Sequence, residues 1–384
     1  MDVRRLAAAT AATLPVMILA ACGGGNAKTA TSTIPTQTTT SAPTPSSVPT
    51  TTATSTASPL AFQVHSVTFV STQLGWVIGT IPCASTCPPV LLRTEDAGRS
   101  WTRVTAPPID DATSVQSVRF ADSADGWVTT RDSVWATHDG GAQWNRPAFP
   151  GVQPGDTVSD VEAAAGVVHA VFTGPPIQIE TSPVRADAWA LSPTTVPVGA
   201  GPIPSEQIVL QGHAGWLIEV DRGVIGGARL DNGVWMRWDP PCSQVGSPVT
   251  GPAVIAASDP VHLAAVCSGG EFTGPMVVLS YFSNDGGSTF QIATAWLPTS
   301  SFGPIASPAP GVVVMGSSTG DLLATFDGGA TWKLVYHPSA PATCGYVGFT
   351  TPDQGVAIEY PSALLMTFDR GLTWAPVTFP LIQP

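Results

Sequence analysis

The chain has 384 residues, with 15 Lys and Arg against 27 Asp and Glu and a formal net charge of −12. That acidic surplus excludes a nucleic-acid binder, which needs a basic stripe against phosphate, and docking on anionic lipid by charge alone. Only 11% of residues are charged, and 38 Gly with 38 Pro interrupt the chain too often for long helices, so many short strands joined by turns are expected.

The first residues read as an address. Arg4 and Arg5 precede an apolar stretch from Leu6 to Leu19, then Ala20, Ala21, Cys22 and a run of Gly23, Gly24 and Gly25. A basic start, a short apolar run and small residues before the cut make a secretory signal. The sequence around Cys22 resembles the bacterial lipobox, which implies that the Cys22 thiol is acylated and becomes the new N-terminus. No other apolar run is long enough to cross a bilayer, so attachment at the extracytoplasmic face of the cell membrane would rest on lipid alone. Residues 27–59 hold 13 Thr, 6 Ser and 5 Pro. Such a segment buries no core and reads as a disordered tether. The expected division is therefore 1–21 signal peptide, 22–59 acylated Cys and tether, and 60–384 folded domain.

The folded part repeats itself. An eight-residue pattern, S/T-x-D-x-G-x-x-aromatic, occurs five times. Its Asp, Gly and aromatic positions are Asp96, Gly98 and Trp101; Asp139, Gly141 and Trp144; Asp285, Gly287 and Phe290; Asp327, Gly329 and Trp332; and Asp369, Gly371 and Trp374. An Asp that accepts backbone N–H bonds within its own turn, a Gly at positive φ and an aromatic opening the return strand describe a hairpin. The motif resembles the Asp box, or BNR repeat, of sialidase-type β-propellers.

A second pattern precedes several boxes: Phe69-x-Ser71 then Gly75-Trp76, and Phe120-x-Asp122 then Gly126-Trp127, with weaker copies at Leu210/Gly215-Trp216 and Phe349/Gly355. The two patterns together resemble the repeats of the photosystem II assembly and stability factor family over most of residues 64–380. The box aspartates lie 43, 146, 42 and 42 residues apart. The long gap is three periods, so two boxes have degenerated, at Asp187–Trp189 and Asp231–Trp235. The expectation is an all-β, seven-bladed propeller of four-stranded antiparallel blades.

With strands A to D numbered outward in each blade, boxes fall on C–D turns and share a face with the A–B turns. The resemblance implies that ligands use the opposite face. Cys83, Cys87, Cys242, Cys267 and Cys344 all map there. Pairing Cys83 with Cys87 and Cys242 with Cys267 leaves Cys344 free; an alternative joins Cys344 to blade 1. The same face collects Arg131, Asp132, Asp221, Arg222, Glu271, Asp321, Glu359 and Tyr360, a candidate acidic mouth for a polar or cationic ligand, or simply solvated turns.

No catalytic residue is assigned, and no cofactor or metal is expected. Sialidases need an arginine trio and an Arg-Ile-Pro motif, and neither is found. Other glycosidases need two carboxylates flanking a bond, which the sequence does not name. Gly316-Ser317-Ser318-Thr319-Gly320 matches G-x-S-x-G, but strand-like segments flank it on both sides where a hydrolase elbow needs a helix after it. The reading is a monomeric, lipid-anchored binding or assembly scaffold for an envelope or secreted protein, or for a glycan. A sialidase-like glycoside hydrolase is the alternative.

Overall fold

The computed structural model describes residues 62–174, 176–192, 205–243, 251–269, 277–294, 297, 303–361 and 363–380. The signal, Cys22, the tether and Glu271 lie outside the described residues.

Seven antiparallel sheets follow one another along the chain, each built from consecutive strands. Blade 1 holds β1 (Gln63–Phe69), β2 (Gly75–Thr80), β3 (Val90–Thr94) and β4 (Thr102–Val104). Blade 2 holds β5 (Val115–Phe120), β6 (Gly126–Thr130) and β7 (Ser133–Thr137). Blade 3 holds β8 (Thr157–Ala164), β9 (Val167–Thr173), β10 (Gln178–Pro183) and β11 (Ala190–Leu191). Blade 4 holds β12 (Ser205–Gln211), β13 (Ala214–Asp221), β14 (Gly223–Asp231) and β15 (Val234–Arg237). Blade 5 holds β16 (Ala253–Ala257), β17 (Leu263–Gly269), β18 (Val277–Ser283) and β19 (Gln291–Thr294). Blade 6 holds β20 (Ile305–Ala309), β21 (Val312–Gly316), β22 (Leu322–Thr325) and β23 (Lys333–Tyr336). Blade 7 holds β24 (Thr343–Phe349), β25 (Gly355–Tyr360), β26 (Ala363–Thr367) and β27 (Ala375–Pro376).

This is the expected seven-bladed propeller, with one local departure. In blade 2 the outer strand shrinks to a single bridge between Ala136 and Asn145, because Pro147 and Pro150 cannot extend a hydrogen-bonded ladder. Strands B and C are apolar on both faces, as in the wholly buried β2, because each blade is covered on both sides. Strand D is exposed, as in β4.

The core is correspondingly divided. Seven clusters of buried apolar side chains each span one pair of neighbouring blades. The seventh closes the ring: Phe62, Val64, Val77 and Trp101 of blade 1 pack with Val356, Ile358 and Met366 of blade 7. Tyr360 Oη also donates to the His65 carbonyl at 3.1 Å. Gln63–Phe69 is the innermost strand of blade 1, so among the described residues closure is by side-chain packing and not by an exchanged strand.

The second repeat pattern has a steric cause. Phe69 pairs with Gly75, Phe120 with Gly126 and Phe349 with Gly355 across strands A and B. A methyl at Gly75 would lie 2.6 Å from the Phe69 ring, and one at Gly355 2.7 Å from the Phe349 ring. Only glycine lets the aromatic ring lie flat over the strand B backbone. The Ser or Asp two residues after the Phe closes the A–B turn: Ser71 Oγ accepts from Leu74 N–H at 3.0 Å, and Asp122 Oδ1 from Ala124 N–H at 2.8 Å.

Candidate functional site

All five boxes form one hydrogen-bonded turn. In blade 6 the Thr325 hydroxyl donates to Asp327 Oδ1 at 2.9 Å and accepts from Gly329 N–H at 2.9 Å. Asp327 then accepts from Thr331 N–H at 2.9 Å and from the Thr331 hydroxyl at 2.6 Å. Blades 1, 5 and 7 reproduce the set around Asp96, Asp285 and Asp369, and blade 2 does so around Asp139 with the Gln143 amide in place of the last hydroxyl. Hydrogen bonds from Ser100, Thr289 and Thr331 hold Asp96, Asp285 and Asp327 down at about 2.

Each box turn is latched to the A–B turn of its own blade through a backbone bond, such as Ala97 N–H to the Gln73 carbonyl and Gly328 N–H to the Gly311 carbonyl. Each box glycine also faces the preceding blade. A methyl at Gly98 would meet Met366 of blade 7 at 2.9 Å, one at Gly287 would meet Trp238 of blade 4 at 3.1 Å, and one at Gly371 would meet Val314 of blade 6 at 2.7 Å. The boxes are therefore wedges between blades. Trp101 and Trp374 close their own turns by donating to the Gly98 and Gly371 carbonyls at 3.1 Å, whereas Trp144 reaches across to the Thr105 carbonyl of blade 1 at 2.9 Å.

On the opposite face, disulfides join Cys83 to Cys87 within the B–C loop of blade 1 and Cys242 to Cys267 across blades 4 and 5. Cys344 keeps a buried free thiol, which burial pushes up to about 12. Arg131, Asp132, Asp221 and Arg222 occupy B–C turns of blades 2 and 4, and no ion pair joins them among the described residues. Asp321 and Glu359 are engaged at the junction of blades 6 and 7. Asp321 meets His337 Nδ1 at 2.6 Å, and Glu359 accepts from Tyr336 Oη at 2.7 Å. The described face residues thus lie on blades 2, 4, 6 and 7. Gly316–Gly320 turns directly from β21 into β22, with Ser317 Oγ bonded to Thr319 Oγ1 at 2.9 Å, so it is a hairpin and not a nucleophile elbow.

The structure gathers other ionisable groups, on the inner strands. Arg119 of β5 donates to Glu162 of β8 at 2.6 Å and lies 5.3 Å from the ring of Tyr346 on β24, so three blades meet at one guanidinium. Two residues before Glu162, Asp160 accepts from Val161 N–H at 2.9 Å and Ile208 N–H at 3.4 Å. Burial and the neighbouring Glu162 push the Asp160 carboxyl upward, against the pull of Arg119. Nearer the other end, Glu206 accepts from Ser159 at 2.6 Å and Thr173 at 2.7 Å, and it faces Glu219 across β12 and β13. Sequence reading missed these residues. Their one signal is polar side chains at alternate positions of an innermost strand, as at Asp160 and Glu162.

No family model matches the chain, and no curated protein matches it. Solved structures do. YCF48 bound to a D1 peptide superposes with a TM-score of 0.57 at 18% identity, covering 80% of this chain and 94% of that one. An ancestral GH74 enzyme gives 0.58 at 12% identity over 84% of this chain and 47% of that one. A catalytically inactive virginiamycin B lyase from Staphylococcus aureus with quinupristin gives 0.56 at 12% identity, covering 80% and 95%. At these identities the likeness is one of architecture: the chain is a β-propeller of the kind shared by YCF48 and by enzymes.

Proposed function

We propose that this is a lipid-anchored, extracytoplasmic propeller built on Asp-box repeats, which binds an envelope or secreted polypeptide without transforming it. Acylation at Cys22 would hold it at the cell membrane, and residues 27–59 would carry the propeller clear of the surface by a distance on the order of 100 Å. The observation that carries the non-catalytic reading is the state of the inner carboxylates. Glu162 is held by Arg119, Asp160 by two backbone N–H groups and Glu359 by Tyr336, while one oxygen of Glu206 accepts from two hydroxyls and the other has no partner. A hydrolase needs two carboxylates free to face a bond and a water. The likeness to YCF48 bound to a D1 peptide supports a peptide or protein as the bound class.

The hydrolase alternative can draw on Glu206 and Glu219, which sit opposite each other on adjacent strands and are both buried. The test is affinity capture of envelope proteins by the full chain, run beside a panel of glycosides. A protein retained in stoichiometric amount and no glycoside turnover is the expected result. Turnover that disappears in Glu206→Gln would overturn the proposal in favour of the hydrolase.

A further inference from the structure

The two blades that lost their boxes lack the eight-residue turn that wedges the other seams. Blade 4 replaces the eight-residue turn with a tight hairpin through Asn232 and Gly233, both at positive φ (50° and 80°). Trp235 still packs with Val171 and Ile179 of blade 3, but no box turn wedges the seam, and a cleft of about 860 Å3 opens between the two blades on the box face. Blade 3 leaves a smaller cleft of about 380 Å3 against blade 2. Volumes in this range suit ligand sites.

The larger cleft has a polar floor. His169 of β9 faces blade 4, edge-on to Trp235 at 5.8 Å, on the side where β2, β6 and β13 carry Trp76, Trp127 and Trp216. It is 6% exposed, its Nδ1 is buried without a partner, and no hydrogen bond reaches either ring nitrogen. Leaving a buried imidazole unbonded is costly, and buried polar groups are otherwise paired in native proteins. Burial holds its pKa at about 4, so it is neutral at physiological pH and offers one donor and one acceptor. Thr181 and Asn232 also line the cleft, while Val167, Leu230 and Pro260 supply apolar walls. No Lys or Arg lines it; His213 and Asp231 do, and the Asp231 carboxylate disfavours an anion.

We infer that this cleft binds a turn of a partner polypeptide that inserts a tyrosine side chain between blades 3 and 4, with the phenol hydrogen-bonded to His169. The occupant would stand where a box turn wedges the other blades. A tyrosine matches the apolar walls with its ring and the imidazole with its hydroxyl. This rests on the reading of the protein as a polypeptide binder but places the contact on the face opposite the disulfides.

The probes are N-acetyl-tyrosinamide, its phenylalanine analogue and its phosphotyrosine analogue, titrated into the full chain while the histidine ring signals are followed by NMR. The expected result is a shift of the His169 signal by tyrosinamide, with affinity at least about fivefold above the phenylalanine analogue and no binding of the phosphorylated one. His169→Phe should erase the tyrosine preference. Replacing Asp231–Gly233 with the turn of Thr325–Trp332 should fill the cleft and abolish binding. Equal affinity for the tyrosine and phenylalanine probes, or an unchanged preference in His169→Phe, would overturn the inference. An envelope partner held equally by wild type and His169→Phe would remove the cleft as its site yet leave the binding function standing. Tyrosine discrimination without any captured envelope protein would do the reverse.

Discussion

The box turn puts its tightest constraint on two residues, the hydroxyl at its start and the glycine at its apex. Thr137 is fully enclosed, and its Oγ1 accepts from Gly141 N–H at 3.0 Å while donating to Asp139. Thr137→Val keeps the shape and removes both bonds; a loss of about 1–3 kcal/mol in denaturant unfolding is expected. Gly371 stands at φ +86° with Val314 against it, so Gly371→Ala should cost a similar ~1–3 kcal/mol. Acid should dismantle the same turns. Asp96, Asp285 and Asp327 bind protons more weakly folded (about 2) than unfolded (3.8). Their contribution is complete above the unfolded value and is lost as pH falls from about 4 towards 2. Melting curves between pH 2 and 5 should show stability rising with pH, and Asp327→Asn should flatten that slope.

Legibility in the sequence follows how local each device is. A box is a contiguous turn whose partners lie within eight residues, so its pattern survives in the chain and revealed both blade number and register. Phe69 and Gly75 are likewise joined by one short hairpin. Arg119, Glu162 and Tyr346 meet from three blades, and His169 faces a turn more than 60 residues away, so no spacing announces them. At this scale the Cys242–Cys267 bond also matters, because it ties the exit of blade 4 to strand β17. Changing both to Ser should cost about 3 kcal/mol, against roughly 2 kcal/mol for the short Cys83–Cys87 loop. Reductant titrated against the melting temperature separates the two. The His138 imidazole links Asp125 of its own blade at 2.6 Å to Asp187 of blade 3 at 3.3 Å. Burial opposes its charge, but the two carboxylates win and raise its pKa. The latch is therefore strongest below the ordinary histidine value and fades as pH rises past the folded one. His138→Gln should destabilise more at pH 5.5 than at pH 8 in the same melt.

For the whole molecule, stability is distributed over seven similar interfaces, including the one where the ends of the ring meet. Met366 at that closure and Met315 between blades 5 and 6 are both buried in apolar clusters. Met366→Ala and Met315→Ala should each cost about 2–5 kcal/mol and lower one cooperative transition. A markedly smaller loss for Met366 would mean that the ring closes loosely. The interfaces also differ in a way that bears on function. Five are wedged by boxes, and the two flanking blade 3 are not; clefts of about 380 and 860 Å3 stand at those two. An acidic propeller whose Glu162, Asp160 and Glu359 carboxylates are engaged in internal bonds suits a protein that holds a client. The most direct measurement of that claim is mass spectrometry of envelope material bound to and eluted from the full immobilised chain. The account predicts a specific polypeptide recovered intact. Recovery of a glycan or polypeptide cleaved during the incubation, with no intact partner retained, would contradict it.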